Sequence, residues 1–372
     1  MVTRFFDCDV CIAGGGPAGL AAAIAAARRG LSVTVIDAAE PPLDKACGEG
    51  LMPDALLALG QLGVDLDDAL STPFRGVCFT GYGWRAEALF PNGTGRGIRR
   101  PVLHKLLAEY AETLGVRFLW HKRITALDGH YLTLDSELIH ARWIVGADGL
   151  QSRIRRWARL DANTTTSSRV GRRLHYRAVP WSRCVEIYWG EHGQAYVTPV
   201  APDEVCVAFI GRKKHTTRAF TLEGYPELKE RLKHADVASA LRGAMTVGRT
   251  LHRVAAGHVA LIGDASGSVD AITGEGLALS FRQALALGDA LVHNDLNLYE
   301  RAHRSIGRVP SFMSRTMLLL DGSQFLRLHT LQAFERSPQL FARMLGVHVG
   351  AFPLRWLGDG GVLRLGWGLI TA

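Results

Sequence analysis

The stretch Val10-Cys11-Ile12-Ala13-Gly14-Gly15-Gly16-Pro17-Ala18-Gly19-Leu20 sets the fold class. Its apolar opening predicts a buried strand, and the alanine-rich run from Leu20 to Arg29 predicts a helix. Val33-Thr34-Val35-Ile36 is β-branched and reads as the next strand, so the unit is β-α-β with glycines at its first turn. In Gly14-x-Gly16-x-x-Gly19 the first glycine permits a tight turn, the second lets backbone approach a phosphate, and the third lets helix and strand pack closely. The N–H groups at the helix start, beside Pro17 and Ala18, then receive a pyrophosphate. Asp37 follows the second strand at roughly the 20-residue distance that ribose recognition requires. Its carboxylate accepts from a 2′-hydroxyl and repels a 2′-phosphate, which favours FAD or NAD over NADP.

A chain of 372 residues, 48% of them hydrophobic, buries a large core without disulfide or metal. Its six cysteines are scattered, and none shows zinc-site spacing with histidine partners, so no metal is expected. Cys8 and Cys11 form a C-x-x-C inside a buried strand and read as core thiols on opposite faces. The first residues lead straight into that strand, and the longest apolar run, Leu20 to Ala27, is too short to cross a bilayer. A cytoplasmic location is expected. The formal charge of +8 comes from dispersed arginines without an RNA-binding or zinc-finger pattern, so no nucleic-acid partner is expected.

Outward from the first unit, helices are predicted near Pro53 to Leu62 and Leu103 to Leu114, and strands at Arg117 to Trp120 and Trp143 to Val145. From about Arg169 to Gly211 the pattern changes to strands broken by turns: Leu174–Val179, Val185–Trp189, Gln194–Val200 and Val205–Ile210. A last strand, His258 to Ile262, precedes helices. The expected organisation is a discontinuous cofactor lobe of residues 1–168 and 246–298, an inserted antiparallel substrate sheet of residues 169–245, and a helical cover of residues 299–372. That cover interleaves Arg301, Arg304, Arg308, Arg315, Arg327, Arg336 and Arg343 with Leu, Phe and Met. It reads as an amphipathic layer over the core, or as a lid with peripheral membrane contact, and Val362 to Ala372 ends the chain with few charges.

Two distant segments distinguish FAD from NAD. Gly146-Ala147-Asp148-Gly149-Leu150-Gln151-Ser152-Arg153 resembles the DG motif of the para-hydroxybenzoate-hydroxylase-type flavoproteins, and Gly263-Asp264 through Gly274-Glu275-Gly276-Leu277 resembles their GD motif. The resemblance implies a Rossmann-type, glutathione-reductase-like FAD lobe with tightly bound, non-covalent FAD, and NAD(P)H as transient electron donor. It places Asp264 near the ribityl and pyrophosphate region, and Arg100 at a position that often contacts FAD. Lys45-Ala46-Cys47-Gly48-Glu49-Gly50 and the G-E-G triplet are similar to the geranylgeranyl-reductase branch, which puts Cys47 and Glu49 near the isoalloxazine. The implied cofactor set also takes in Ala38 and Ile124. The aromatic box of that branch is reduced to Gln194-Ala195-Tyr196-Val197-Thr198-Pro199, which leaves its lipid channel in question.

Three functional readings remain. In the first, NAD(P)H reduces FAD and a hydrophobic or aromatic small molecule is hydroxylated through a flavin C4a-hydroperoxide. In the second, a hydride passes to an alkene of a lipid or polyketide-like substrate while Cys47 or Glu49 protonates the other carbon. In the third, the flavoprotein is a redox sensor without turnover. The superfamily at large favours oxygenation, and the C-G-E-G and G-E-G loops favour reduction. His175, Tyr188 and Tyr196 lie on the expected substrate sheet as candidate hydrogen-bonding groups, and Glu186 reads as a base there or as a solvent-facing strand residue.

Overall fold

The structure is a computed structural model that describes residues 6–135, 137–161, 164–212 and 220–358. The apolar strand Cys8–Ala13 sits at the centre of a parallel sheet, paired with Val33–Ile36 on one side and with Glu137–Gly146 on the other. Arg117–Leu119 and Val259–Leu261 extend the sheet on either side. Helix Pro17–Ala27 is buried from Leu20 to Ala26, because it lies between this sheet and the long helix Gly276–Val292. Small residues permit that approach: a Cβ on Gly288 would sit 3.1 Å from Ala25 O. Cys8 and Cys11 are both buried and free, and their thiols interact with each other rather than standing apart.

The second sheet has the strand order Arg242–Thr250, Thr164–Arg177, Glu204–Gly211, Gly193–Ala201, Val185–Trp189, Gly76–Gly81, Trp84–Leu89. The last two strands correct the expected lobes. Residues 76–89, expected in the cofactor lobe, form a hairpin that joins the substrate sheet through a parallel pairing of Val77 with Val185 and of Phe79 with Ile187. The expected boundaries at 168/169 and 245/246 likewise fall inside strands. Pairing between segments a hundred residues apart leaves no local trace in composition.

Helices Arg308–Gly322, Gln324–Arg336 and Pro338–His348 cover one face of this sheet. Phe79 anchors them: its ring lies 4.8 Å from that of Phe341, which stacks at 4.6 Å on Phe334. The expected apolar terminus Val362–Ala372 lies outside the described residues. Truncating this stack, Phe341→Ala, is expected to cost about 3–5 kcal/mol in urea unfolding. Leu319→Ala, on the solvent side of the same layer, should stay within about 0.5 kcal/mol. Equal costs for the two would remove the stack as the anchor of the cover.

Candidate functional site

A cavity of about 760 Å³ runs from the glycine loop, past the loop 45–50, to the underside of the helical cover. At the loop end the three glycines divide their roles by space. A Cβ on Gly14 would lie 2.4 Å from Ala147 O, and one on Gly19 would lie 1.9 Å from Gly14 O, so both are needed for packing. Gly16 lines the cavity with nothing within 4 Å of where its Cβ would be, which is the opening a pyrophosphate requires. Asp37 Oδ2 accepts from Gly15 N at 2.7 Å and Oδ1 from Ala39 N at 2.8 Å, and each oxygen keeps a lone pair for a ribose hydroxyl. Ala38, Ile124 and Gly149 line the same end, as do Pro17 and Ala18.

Two buried polar atoms here have no partner among the described residues: Arg100 Nε and Asp148 Oδ1. The other oxygen of Asp148 accepts from Arg153 N at 2.6 Å and Ile154 N at 3.2 Å, so the side chain is fixed with one oxygen to spare. Asp264 and Lys45 meet at 3.3 Å on the cavity wall, while Gly263 stands behind it with its N–H donating to Gln283 Oε1 at 2.9 Å. Gly274, in the left-handed region at φ 71°, turns the chain into the helix that starts at Gly276 beside Leu277. Orphaned polar groups, an open glycine at a helix start and a second helix start at the far end together fit FAD.

Glu49 is the surprise of the loop Lys45-Ala46-Cys47-Gly48-Glu49. Its side chain is fully buried, with Oε1 accepting from Arg100 N at 2.9 Å and Oε2 bonded to His175 Nε2 at 2.6 Å. Arg99 and Arg173 each stand 3.8 Å from it. His175 is held in turn by Ser239 Oγ at 2.8 Å and does not line the cavity. Two of the residues expected to act on substrate, Glu49 and His175, are therefore bonded to each other. Cys206 Sγ joins Glu49 and His175 within 4.8 Å, an arrangement open to a metal. Two guanidinium groups and the Arg100 N–H already take the carboxylate a cation would need. Cys47 lines the cavity, and its Sγ accepts from Glu49 N at 3.4 Å.

Beyond the loop the cavity turns apolar, walled by Phe79, Ile187, Met313, Met317, Phe341 and Met344. Tyr196 also lines it, but its hydroxyl donates to Ile272 O at 2.7 Å and rests against the Gln194 amide. Turning that amide so that its NH2 faces the hydroxyl satisfies both groups. Burial pushes the Tyr196 phenol well above its ordinary value. Glu186 is buried rather than solvent-facing, because Tyr188 Oη, Trp181 Nε1 and Arg85 all donate to it on the sheet's other side.

At the seam between the two ends, Glu275 precedes the helix Gly276–Val292, buried, with Oε2 lacking a partner among the described residues. Burial, reinforced by Asp54, pushes its carboxyl up to about 8, against the pull of Thr273 and Arg282. His348 Nδ1 stands 3.6 Å from its Oε1 and lines the cavity. Burial holds that imidazole below its ordinary value. His348 and the methionines are absent from the sequence-derived candidates. Their signal is the helical spacing of 313 with 317, and of 341, 344, 345 and 348, on a layer that reads only as a cover.

The FAD binding domain family matches residues 7–295. The menaquinone reductase of Mycobacterium tuberculosis (strain H37Rv) is 30% identical over 357 residues, covering 86% of this chain and 85% of that protein. Digeranylgeranylglycerophospholipid reductase 2 of Methanosphaera stadtmanae is 27% identical over 315 residues, covering 76% and 77%. The crystal structure of a flavoprotein/dehydrogenase from Cytophaga hutchinsonii superposes with a TM-score of 0.79 at 20% identity, covering 98% of this chain and 97% of that one, and shares the fold.

Arg100→Ala is expected to weaken FAD binding about tenfold to a hundredfold, the worth of a hydrogen bond to a charged group. Flavin fluorescence titration checks it, and unchanged affinity would remove Arg100 from the site. The Glu275 carboxyl has a second consequence. It keeps its proton when folded up to about pH 8 but loses it near 4.5 when unfolded, so the folded state binds more protons between those values. Stability contributed by this group is present at low pH and is lost as pH rises through that window. The melting temperature of the wild type should fall further from pH 6 to pH 9 than that of Glu275→Gln, and parallel curves would place the carboxyl in its ordinary range.

Proposed function

We propose that this chain, which belongs to the FAD binding domain family of FAD-dependent oxidoreductases, is a reductase that saturates a carbon–carbon double bond in the prenyl chain of a lipid. The observation that carries this reading is the apolar arm of the cavity. An aromatic substrate held for hydroxylation needs a polar group to orient its hydroxyl, and the candidates are committed elsewhere: Tyr196 to Ile272, His175 to Glu49, Tyr188 to Glu186. A prenyl chain asks only for apolar wall, and burial against it is worth about 25 cal/mol per Å². Methionines such as Met313, Met317 and Met344 adapt to a flexible chain because their thioethers turn freely. The names of the relatives point the same way: menaquinone carries a polyprenyl tail, and digeranylgeranylglycerophospholipid carries two geranylgeranyl chains.

Bound FAD would supply hydride transfer to one alkene carbon, with NAD(P)H as its transient reductant. Gly16, Asp37, Arg100, Asp148 and Asp264 would hold and orient it. Cys47 and Gly48 floor the cavity where the two ends meet, and the cover helices keep water from the apolar arm. Helix Arg308–Gly322 turns Met313 and Met317 inward and Arg308, Phe312, Arg315 and Leu319 outward. That basic and apolar stripe suits the surface of an anionic membrane, where such a substrate resides.

The test is anaerobic incubation of the FAD-loaded protein with NADH or NADPH and menaquinone or a digeranylgeranyl phospholipid in detergent. The expected product has gained two hydrogens per turnover by mass spectrometry, with its ring or headgroup intact. No saturation of either lipid, together with substrate-stimulated NAD(P)H oxidation and oxygen incorporation into an aromatic compound in air, would overturn the reading in favour of a monooxygenase.

A further inference from the structure

Delivering a hydride to one alkene carbon leaves the other in need of a proton, and two of the groups near the loop, Glu49 and Tyr196, are committed elsewhere. Glu49 is an acceptor for Arg100 N and is bonded to His175. The proton of Tyr196 is spent on Ile272 O. We propose that Glu275 and His348 are the proton-delivery pair of this site, Glu275 storing the proton behind the start of helix Gly276–Val292 and His348 carrying it to the apolar arm.

The pair's role rests on the reductase reading above. Four observations support it independently of sequence resemblance. Glu275 is 4% exposed, and its Oε2 has no hydrogen-bond partner among the described residues to offset the cost of a buried anion. Its Oε1 lies 3.6 Å from Nδ1 of His348, a gap that a shift of a few tenths of an ångström closes to a hydrogen bond. His348 borders the cavity beside Met344 and Leu345, whereas Glu275 does not, so the imidazole is the member of the pair that reaches substrate space. The charged groups packed around the pair favour a proton shared between them. Asp54, on the helix Pro53–Gln61, raises Glu275 by repulsion and opposes the loss of charge on His348. Arg282, on the same helix as Glu275, draws it down, as does Thr273 from the preceding turn. Burial outweighs both and keeps the carboxyl protonated near neutral pH.

The hydride, drawn ultimately from NAD(P)H, forms the first new C–H bond. The neutral imidazole of His348 gives the proton on its other ring nitrogen to the second carbon as the alkene π pair closes that bond, while Nδ1 takes the proton stored on Glu275. Solvent then reprotonates the Glu275 carboxylate, so two electrons and two hydrogens have been added.

Infrared spectra of the FAD-loaded protein at pH 6.5 should contain the carbonyl stretch of a buried protonated carboxyl that disappears in Glu275→Gln. Single-turnover saturation of menaquinone should fall about a hundredfold in Glu275→Gln and in His348→Gln, the scale of a lost general acid, with the loss on saturation rather than on reduction of FAD by NAD(P)H. Retention of that carbonyl band in Glu275→Gln overturns the proton store. Full-rate saturation by both variants, or a loss confined to Cys47→Ala, overturns the delivery role and assigns it to the thiol. A wild-type protein that shows the band yet saturates no prenyl lipid overturns the reductase reading, and the delivery role with it, while leaving the stored proton in place.

Discussion

The burial of the Glu49 carboxylate is the constraint on which the site depends. Taking one ion out of water costs several kcal/mol, and the cost is met only if hydrogen bonds and countercharges replace the lost solvent. Here the replacements come from three separate pieces of chain: Arg100 N at the start of helix Arg100–Thr113, His175 on strand Thr164–Arg177, and the guanidinium groups of Arg99 and Arg173. The loop 45–50, a helix of the cofactor lobe and the substrate sheet are thereby locked to one point. Glu49 itself sits at φ 59°, a left-handed conformation that costs a non-glycine residue on the order of 1 kcal/mol and persists only where surroundings enforce it. The same bond that closes the loop fixes the first turn carrying Arg100, whose unpartnered Nε lies among the cofactor-lining groups.

A second clasp does for the cover what Glu49 does for the loop. Arg169, buried on the substrate sheet, is paired with Asp321 at the end of helix Arg308–Gly322 and lies 3.8 Å from Asp270 in the turn before Ala271–Thr273. Arg327 adds bonds to Asp321 O at 2.6 Å and Tyr82 Oη at 3.0 Å. The roof of the apolar arm is thus tied to the turn that leads into helix Gly276–Val292. Depth of the arm and position of that helix start are set together.

What is legible in the sequence follows from the range over which each signal acts. The β-α-β unit can be read because turn, helix and both strands are neighbours in the chain, and Val185–Trp189 is bounded to the residue by its own alternation and flanking turns. The hairpin 76–89 falls to the wrong lobe because its sheet is chosen by a partner strand more than a hundred residues away. Glu186 reads as exposed because strand periodicity gives a face but not what covers it, and Trp181 and Arg85 come from outside the strand. Resemblance places Glu49 near the reaction. The pairing of His175 with Glu49, which commits a carboxylate on the cavity wall and holds the imidazole behind it, arises only when the two lobes meet.

Glu275 shows why position on a helix does not decide a side chain's charge. A carboxylate at a helix N-terminus is ordinarily stabilised as an anion, by about 0.3–1 kcal/mol at a surface and up to about 2 kcal/mol in partly buried settings. That effect acts here, since the residue stands where the free N–H groups of helix Gly276–Val292 begin. Yet desolvation costs several kcal/mol per ion, Asp54 adds repulsion, and no side chain bonds Oε2. Desolvation outweighs the helix dipole, and the carboxyl keeps its proton. The helix start on the cavity wall then presents its dipole without a fixed negative charge set against it, so the field at that end of the cavity stays positive as long as the proton remains, and weakens when the proton is spent.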